Sequence, residues 1–136
     1  MTYTPEQISQ IVLKVLKEIE EPDVLKLSLG EKVKLTQHPN TSTETLAVLA
    51  TDKIADVHYR VARNPNTSQE TLAVLATDKY YPYVRESVAR NSNTSTETLN
   101  VLATDVDWNV RYRVAKHPNA IEITRRLVLM TDEEHS

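Results

Sequence analysis

The sequence predicts an all-α fold, in which short tandem two-helix repeats stack into an α-solenoid with capping helices at both ends. Three observations predict it: a tandem repeat, a helix-start pattern at the beginning of each copy, and a composition poor in strand-forming residues. Aromatic residues make up 5% of the chain, and Gly30 is its single glycine. Strands favour β-branched and aromatic residues with glycine at their turns, so this composition favours helices.

The repeat begins at His38 and has a period of about 26 residues. The string ETLAVLATDK occurs in both of the first two copies, which chance does not produce, and a fourth copy begins at His117 and then diverges. Neither helix of one repeat buries its apolar face alone, so neighbouring copies must cover it and both ends need caps. We therefore expect one structural domain, with N-terminal capping helices (1–37), three repeats over 38–116 (38–63, 64–90 and 91–116) and a C-terminal capping partial repeat with a tail (117–136).

The first predicted helix of each copy, helix A, starts at a Thr-x-x-Glu pattern that is typical of a capping box. In the first copy the Thr41 hydroxyl is expected to accept from the amide of Glu44, while the Glu44 side chain reaches back to the Thr41 amide. Helix A follows over residues 42–51 and is apolar around most of its girth, as expected for a helix packed between neighbours. The same pattern begins at Thr67 and at Thr94.

The second predicted helix, helix B, covers residues 56–63 in the first copy, where Val57, Val61 and Ala62 form its buried side. Such a short element makes only about two turns, so the spacing leaves open whether it is α-helical or 3₁₀. An Asn-Pro-Asn turn or a variant of it then leads into the next copy, since proline and asparagine suit turns and stop helices.

The two ends carry helix signals of their own. Thr4 and Gln7 form a further capping box, with proline at the first helical position. At the far end a closing helix is expected over residues 121–130, and its Arg125 and Arg126 replace the Leu and Ala of inner copies, which predicts a polar outer face. The N-terminal capping box opens an amphipathic helix whose apolar stripe consists of Ile8, Ile11, Val12, Val15, Leu16 and Ile19.

The repeat pattern Asn-Pro-Asn-Thr-x-x-Glu-Thr-Leu-x-x-Leu-Ala-x-Asp, followed by Val-Arg-x-x-Val-Ala-Arg, resembles the leucine-rich repeat variant (LRV) family over residues 38–116. This resemblance implies a right-handed solenoid of alternating α and 3₁₀ helices that serves as a binding scaffold. A more distant likeness is to HEAT repeats, from whose Val-Arg pattern the first copy departs at His58. Some LRV proteins hold an iron–sulfur cluster on cysteines; this chain has no cysteine, so that property does not transfer and no cofactor is expected.

Catalysis finds little support in the sequence. A phosphate-binding loop needs more than one glycine, and no histidine pair has a zinc-binding spacing such as His-Glu-x-x-His, so we expect a non-enzymatic protein. Neither a bilayer-spanning apolar run nor a secretory signal is visible, which leads us to expect a cytoplasmic protein without membrane contact. The net charge of −3 argues against general attraction to nucleic acid but is compatible with one basic face.

Alignment of the copies places a charged column beside the buried valines of helix B. We expect this column to form a structural ladder between repeats with the aspartates that precede helix B. The ladder consists of His58, Arg85 and Arg111 together with Asp52, Asp78 and Asp105.

Two further columns on helix B point outwards, and aromatic residues flank them. Along a solenoid the second helix usually lines the concave surface, so residues that vary there on a repeated frame are candidates for recognition. One column is Arg60, Ser87 and Arg113, the other is Arg63, Arg90 and Lys116, and Tyr59 and Tyr112 lie beside them. The rim of the loops carries Tyr80, Tyr81, Tyr83 and Trp108.

These columns allow several interpretations. The functional one is a basic, aromatic groove for a protein or peptide partner, with an acidic segment favoured; the alternative is a nucleic-acid backbone held by the same arginines. The plain interpretation is a solvated helix face whose long side chains cover apolar surface. A third hypothesis is self-association, so we expect a monomer or a weakly self-associating protein. The contact candidates are Tyr59, Arg60, Arg63, Arg90, Trp108, Tyr112 and Arg113.

Overall fold

The computed structural model describes residues 2–11 and 24–135. Within these residues the chain consists of helices and the turns between them, without a strand, which confirms the all-α prediction for the described part. Residues 5–11 and 24–26 are helical. The helices that follow are α1 (Leu29–Gln37), α2 (Thr43–Leu49), α3 (Ala55–Arg63), α4 (Gln69–Leu75), α5 (Pro82–Arg90), α6 (Thr96–Leu102), α7 (Trp108–Lys116) and α8 (Glu122–His135).

Helix A of the three copies is α2, α4 and α6, and a serine begins each of them. The Ser42 hydroxyl accepts from the amide of Thr45 at 3.1 Å and donates to the Thr45 hydroxyl at 2.9 Å. Ser68 and Ser95 accept in the same way from the amides three residues on. The predicted capping box was therefore wrong by one residue, because serine rather than the preceding threonine satisfies the free amides of the first turn.

The threonine that precedes each capping serine has a different role. Thr41 is buried and donates to the carbonyl of Leu35 at 2.6 Å, in the last turn of the preceding helix. Thr67 and Thr94 donate to Val61 and Val88 over the same distance. Each threonine hydroxyl is thus a second donor to a carbonyl at the C-terminus of a helix, which also accepts from the amide of the residue that ends the helix. It links the end of one helix to the start of the next.

Helix B of the three copies is α3, α5 and α7, and each is α-helical throughout its length. The 3₁₀ alternative is not adopted in any described residue. Val57, Val61 and Ala62 are fully buried, which confirms the predicted inner side of this helix. Helix α3 packs against α5 and α5 against α7, while α1 covers α3 at one end and α8 covers α7 at the other.

The core of each copy lies between its own two helices and the neighbouring helices B on either side. Helix A contributes pairs of buried leucines, such as Leu72 and Leu75, and helix B contributes the valines that face them. The outward side of helix A is exposed to solvent: Val74 is 65% exposed and Val101 is 63% exposed. Among the described residues, the fully buried leucines and valines are Leu46, Leu49, Leu72, Leu99, Leu102, Val57, Val61, Val84, Val88, Val110 and Val114.

The Asn-Pro-Asn turns are joined to one another by side-chain amides. Asn91 donates to the carbonyls of Ala62 and Asn64 at 2.8 and 3.0 Å, in the preceding copy, and its own Oδ1 accepts from the amide of Asn93 at 2.9 Å. His117 takes the same place in the next turn, donating from Nε2 to the Asn91 carbonyl at 2.7 Å. These residues were predicted only as turn formers; the structure shows that they also bind the end of each helix B to the next.

Both ends differ in part from expectation. The capping box at Thr4 is confirmed, since Gln7 and Thr4 exchange hydrogen bonds of 2.9 and 3.2 Å. Ile8 and Ile11 of the predicted apolar stripe are 50% and 45% exposed, and the stripe's other members, Val12, Val15, Leu16 and Ile19, lie outside the described residues. The closing helix α8 is longer than predicted. Its outer face is mixed rather than polar, because Ile123, Leu129 and Met130 are exposed beside the two arginines.

Candidate partner-binding face

The charged column next to the buried valines forms the predicted ladder between repeats. Arg85 donates from Nε and Nη2 to the two carboxylate oxygens of Asp105, at 2.7 and 3.0 Å, and from Nη1 to the Asp78 carbonyl at 2.7 Å. Arg111 has a similar role with one donor to the carboxylate: its Nε donates to Asp132 at 2.5 Å, and its Nη1 donates to the Asp105 carbonyl at 2.7 Å. Each rung therefore ties one helix B to the loop of its own copy and to the next element.

The ladder extends into the N-terminal cap, where lysine replaces arginine. The Nζ atom of Lys32, on α1, lies 2.6 Å from the Asp52 carboxylate, and both side chains are buried. Burial alone raises the pKa of Asp52, but the hydrogen bond and charge of Lys32, the amide of Ile54 and the charge of His58 together hold this pKa below its ordinary value of 3.8. Because all its cations are engaged internally, the ladder is structural.

His58 makes the weakest rung. Its Nε2 donates to the Asp52 carbonyl, while its Nδ1 lies 3.9 Å from the Asp78 carboxylate, too far for a hydrogen bond. Arg85 joins the second copy to the third with two donors to the Asp105 carboxylate. The shorter imidazole of His58 does not reach Asp78, so fewer side-chain bonds join the first copy to the second.

The outer column of Arg60 and Arg113 is paired within the face. Arg60 lies 3.1 Å from Asp56, one turn earlier on α3, and Arg113 lies 3.3 Å from Glu86 on the neighbouring α5. Ser87, the third member, is buried and donates to the Tyr83 carbonyl. Two of the predicted contact residues thus already have carboxylate partners.

The cations of the second outer column are not paired with carboxylates in the described part of the chain. Arg63, Arg90 and Lys116 are the last residues of α3, α5 and α7, and all three are exposed. Arg63 donates to the hydroxyl of Tyr59 at 2.9 Å, and its guanidinium lies 5.3 Å from the centre of that ring. Within the described part of the chain none of the three cations has an ion-pair partner.

Four tyrosines form a continuous row, and two of them, Tyr59 and Tyr83, share a cleft with Arg63 and Arg90. Tyr59 meets Tyr83 edge-on with the ring centres 5.6 Å apart, Tyr83 meets Tyr81 at 5.5 Å, and Tyr81 meets Tyr80 at 6.5 Å. Burial, followed by the charges of Tyr81 and of nearby aspartates, raises the pKa of Tyr83 above its ordinary value of 10.0. Its hydroxyl therefore remains a neutral hydrogen-bond donor at physiological pH.

A shallow cleft opens between α3 and α5, where the tyrosines and the free cations meet. Its volume is about 300 Å³, and a second cleft of about 330 Å³, towards α1, shares Arg63 with it. The first cleft is lined by Tyr59, Arg63, Tyr83, Glu86, Ser87, Arg90 and Asn91. Arg63 stands between the two clefts.

The last of the repeats carries a separate aromatic pair on α7. Trp108 stacks on Tyr112 with the ring centres 5.2 Å apart and an interplanar angle of 19°, and Trp108 is 57% exposed. Arg113 and Lys116 both lie over the Tyr112 ring, at 5.4 and 5.7 Å from its centre. One face of the indole is therefore held against a ring that two cations also contact.

The structure thus divides the predicted contact residues into two groups. Tyr59, Arg63 and Arg90 line the first cleft, and Arg60 lines the second cleft together with Arg63. Trp108, Tyr112 and Arg113, on α7, lie one repeat further on. Sequence reasoning placed Tyr83 on a loop rim and did not select it as a contact. Pro82 begins α5, so Tyr83 lies on the helix itself, and proline's preference for the first helical turn was the signal that pointed there.

The described part of the chain contains neither a metal-binding cluster nor a membrane-spanning helix. Residues 2–11 and 24–135 contain no group of three or more histidine, cysteine or carboxylate side chains arranged to hold a metal ion. None of the helices in these ranges combines the length and the apolar character that crossing a bilayer requires. Comparison of the chain with protein-family models, with curated proteins and with solved structures gave no match in any of the three.

Proposed function

We propose that this chain is a non-catalytic scaffold that binds a protein partner through one face of its helix B row. We call this the binding face; it consists of Tyr59, Arg63, Tyr83, Arg90, Trp108, Tyr112 and Lys116. One observation carries the proposal. The capping serines, the ladder residues and the turn asparagines are engaged in bonds within the protein, whereas the binding face combines aromatic rings, three of them exposed, with cations that lack carboxylate partners. Tyrosine, tryptophan and arginine are the residues that dominate binding energy at protein interfaces.

The frame that supports this face is, in our proposal, a right-handed α-solenoid of the LRV type, with helix B on its concave side. The succession of contacts from α1 through α3, α5 and α7 to α8 supports it, because each helix B packs on the next. Tandem copies that contact only their neighbours build long surfaces of this kind, which bind extended partners.

A protein partner fits the charges better than a nucleic-acid backbone does. Asp56 and Glu86 lie on the same side of the row and pair with Arg60 and Arg113, which leaves Arg63, Arg90 and Lys116 for a ligand. Proteins that bind a nucleic-acid backbone neutralise many of its phosphates with basic side chains, about six to ten in strongly salt-dependent complexes. Three free cations on a chain of net charge −3 provide much less.

Affinity capture from a lysate of the source cells, with and without nuclease, tests this function. Wild type is compared with Trp108→Ala/Tyr112→Ala, which removes the stacked pair at the surface. The matched control is Val74→Ala/Val101→Ala, which shortens two exposed side chains on helix A instead. Arg60 and Arg113 are poorer test positions, because their substitution also breaks ion pairs within the face.

We expect wild type and the control to capture the same proteins in the presence of nuclease, and the aromatic variant to lose them. Equal melting temperatures of the three proteins show that the loss comes from the surface. Captured material that disappears on nuclease treatment would instead indicate nucleic-acid binding. Unchanged capture by the aromatic variant would mean that this face is only solvated surface.

A further inference from the structure

The free cations of the binding face occupy equivalent positions in successive copies. Arg63, Arg90 and Lys116 each end a helix B, and each precedes a buried residue that hydrogen-bonds to the previous copy or its turn. Asn91, directly after Arg90, donates to the carbonyls of Ala62 and Asn64. The backbone at each cation is therefore fixed relative to the next one.

The spacing of these cations follows from helix packing. Directly packed helices have axes about 8–10 Å apart, and α3, α5 and α7 pack directly on one another. The backbone positions that bear the cations, one per copy, thus lie in a row with steps of about 8–10 Å. A ligand that pairs with every cation must repeat its negative charge over the same distance.

Of the regular peptide conformations, polyproline II has the matching period. It has three residues per turn and rises about 3.1 Å per residue, so every third side chain lies on one side at intervals of about 9 Å. Side chains on one face of a β-strand recur at about 6.6 Å, and those on an α-helix at about 5.4 Å per turn.

The tyrosine row suits the same ligand. Tyr59 and Tyr83 form the aromatic side of the cleft that Arg63 and Arg90 border. Aromatic-lined grooves bind proline-rich peptides, whose polyproline II conformation is already formed before binding, so little conformational entropy is lost.

We propose that the partner segment is a polyproline II peptide with an acidic residue at every third position, whose carboxylates pair in turn with Arg63, Arg90 and Lys116. This inference rests on the protein-binding function proposed above and names the ligand class of the same face. Prolines between the acidic residues pack against Tyr59 and Tyr83. Because three residues of the peptide correspond to one copy of the repeat, the periodicity of the ligand reproduces that of the protein.

Fluorescence anisotropy with synthetic peptides tests the proposal at about 150 mM salt, where unspecific attraction is screened. The probe is a labelled peptide of four Glu-Pro-Pro units. Its isomer has the same composition with all four glutamates in one block, and a third peptide has glutamine in their place. The protein variants are Arg63→Gln/Arg90→Gln and, as a control of equal charge change, Lys53→Gln/Lys79→Gln at exposed loop positions.

We expect the periodic peptide to bind wild type and the loop control about tenfold more tightly than either comparison peptide, as loss of two partly screened ion pairs predicts. The Arg63→Gln/Arg90→Gln variant should lose about the same factor, and Lys116→Gln alone a smaller one. Equal affinity for the periodic and blocked isomers would overturn the proposal. So would tighter binding of an oligonucleotide of equal charge, or binding that the arginine substitutions leave unchanged.

The two proposals fail in different ways. If the periodic peptide does not bind while Trp108→Ala/Tyr112→Ala still abolishes protein capture, then the ligand class is wrong and the protein-binding function stands. If nuclease abolishes the capture, then the protein-binding function fails whatever the peptides do.

Discussion

Arg85 holds both carboxylate oxygens of Asp105, with Nε and Nη2 at 2.7 and 3.0 Å, and thereby fastens the second repeat to the third. Both side chains are more than nine-tenths buried. The hydrogen bond to Asp105 raises the pKa of Arg85 above its ordinary value, although burial acts in the opposite direction. The guanidinium is therefore charged under all physiological conditions. The ion pair therefore connects the two adjacent copies at every physiological pH.

Replacement of Arg85 by alanine should destabilise the fold by about 3–5 kcal/mol, because it leaves the Asp105 carboxylate buried without its cation. Urea-induced unfolding, followed by circular dichroism, measures the change. Arg113→Ala, at a half-exposed arginine in the next copy, should change the free energy of unfolding by less than about 1 kcal/mol. Similar effects of the two substitutions would mean that burial of the Arg85 rung has been misjudged.

The opposite change is predicted at the weak rung. His58→Arg should stabilise the protein by about 1–2 kcal/mol, because an arginine there reaches the Asp78 carboxylate that the imidazole leaves 3.9 Å away. The gain should vanish when Asp78→Asn is also present, so a double-mutant cycle on unfolding free energies isolates the new bond. A gain that persists without the Asp78 carboxylate would point to helix propensity instead.

The Asp52 carboxylate gives the stability a specific dependence on pH. Its pKa in the folded chain lies below the ordinary value of 3.8, so its contribution is complete above that value and is lost as the pH falls through the lowered folded-state pKa. Asp52→Asn should therefore lower the free energy of unfolding most at neutral pH. The free energies of unfolding of the two proteins should approach each other below the ordinary pKa and converge once the pH is below the lowered folded-state pKa; a difference that stays constant would show that the carboxylate charge is not what stabilises the fold.

Leu72, on helix α4, is fully buried in the central copy. Leu72→Ala should destabilise the protein by about 2–5 kcal/mol, since it removes apolar contacts and leaves a cavity. Val74→Ala on the same helix removes a side chain that is 65% exposed and should be nearly neutral. Comparison of the two midpoints of urea unfolding therefore checks which side of helix A faces the core.

The sequence predicted those features that depend on positions repeated along the chain. The buried side of helix B at Val57 and Val61 follows from spacing, and the rung from Arg85 to Asp105 follows from alignment of the copies. The helix start was misplaced because Thr41 and Ser42 both carry a hydroxyl, and only the path of the preceding helix decides which of them faces the free amides.

The candidate face was harder to predict because it depends on contacts between copies. Asp56, one turn before Arg60, is visible as a pair in the sequence, whereas the partner of Arg113 is Glu86 on a different helix. Which arginines remain free could therefore be read only after the helices had been placed beside one another. The same holds for the tyrosine row, where Tyr59 and Tyr83 meet across two copies.

The turn asparagines provide the last prediction. Asn91 is buried, its amide donates to the carbonyls of Ala62 and Asn64, and its Oδ1 accepts from the amide of Asn93. Asn91→Ala should destabilise the protein by about 2–3 kcal/mol, because buried carbonyls lose their donor. Asn91→Asp should be worse although it is nearly isosteric, since a carboxylate oxygen then faces two carbonyl oxygens that it cannot hydrogen-bond.

Ser92→Ala, at the exposed neighbouring position, is the matched control and should leave the stability nearly unchanged. Thermal unfolding of the four proteins at neutral pH gives the order wild type, Ser92→Ala, Asn91→Ala and Asn91→Asp, from most to least stable. Asn91→His should fall near wild type, because His117 already makes the equivalent bonds one copy further on, with Nε2 donating to a carbonyl and Nδ1 accepting from the Asn119 amide. If Asn91→Asp were instead as stable as wild type, the side-chain amide would not be the donor that joins successive helix ends, and the fixed spacing of Arg63 and Arg90 would need another cause.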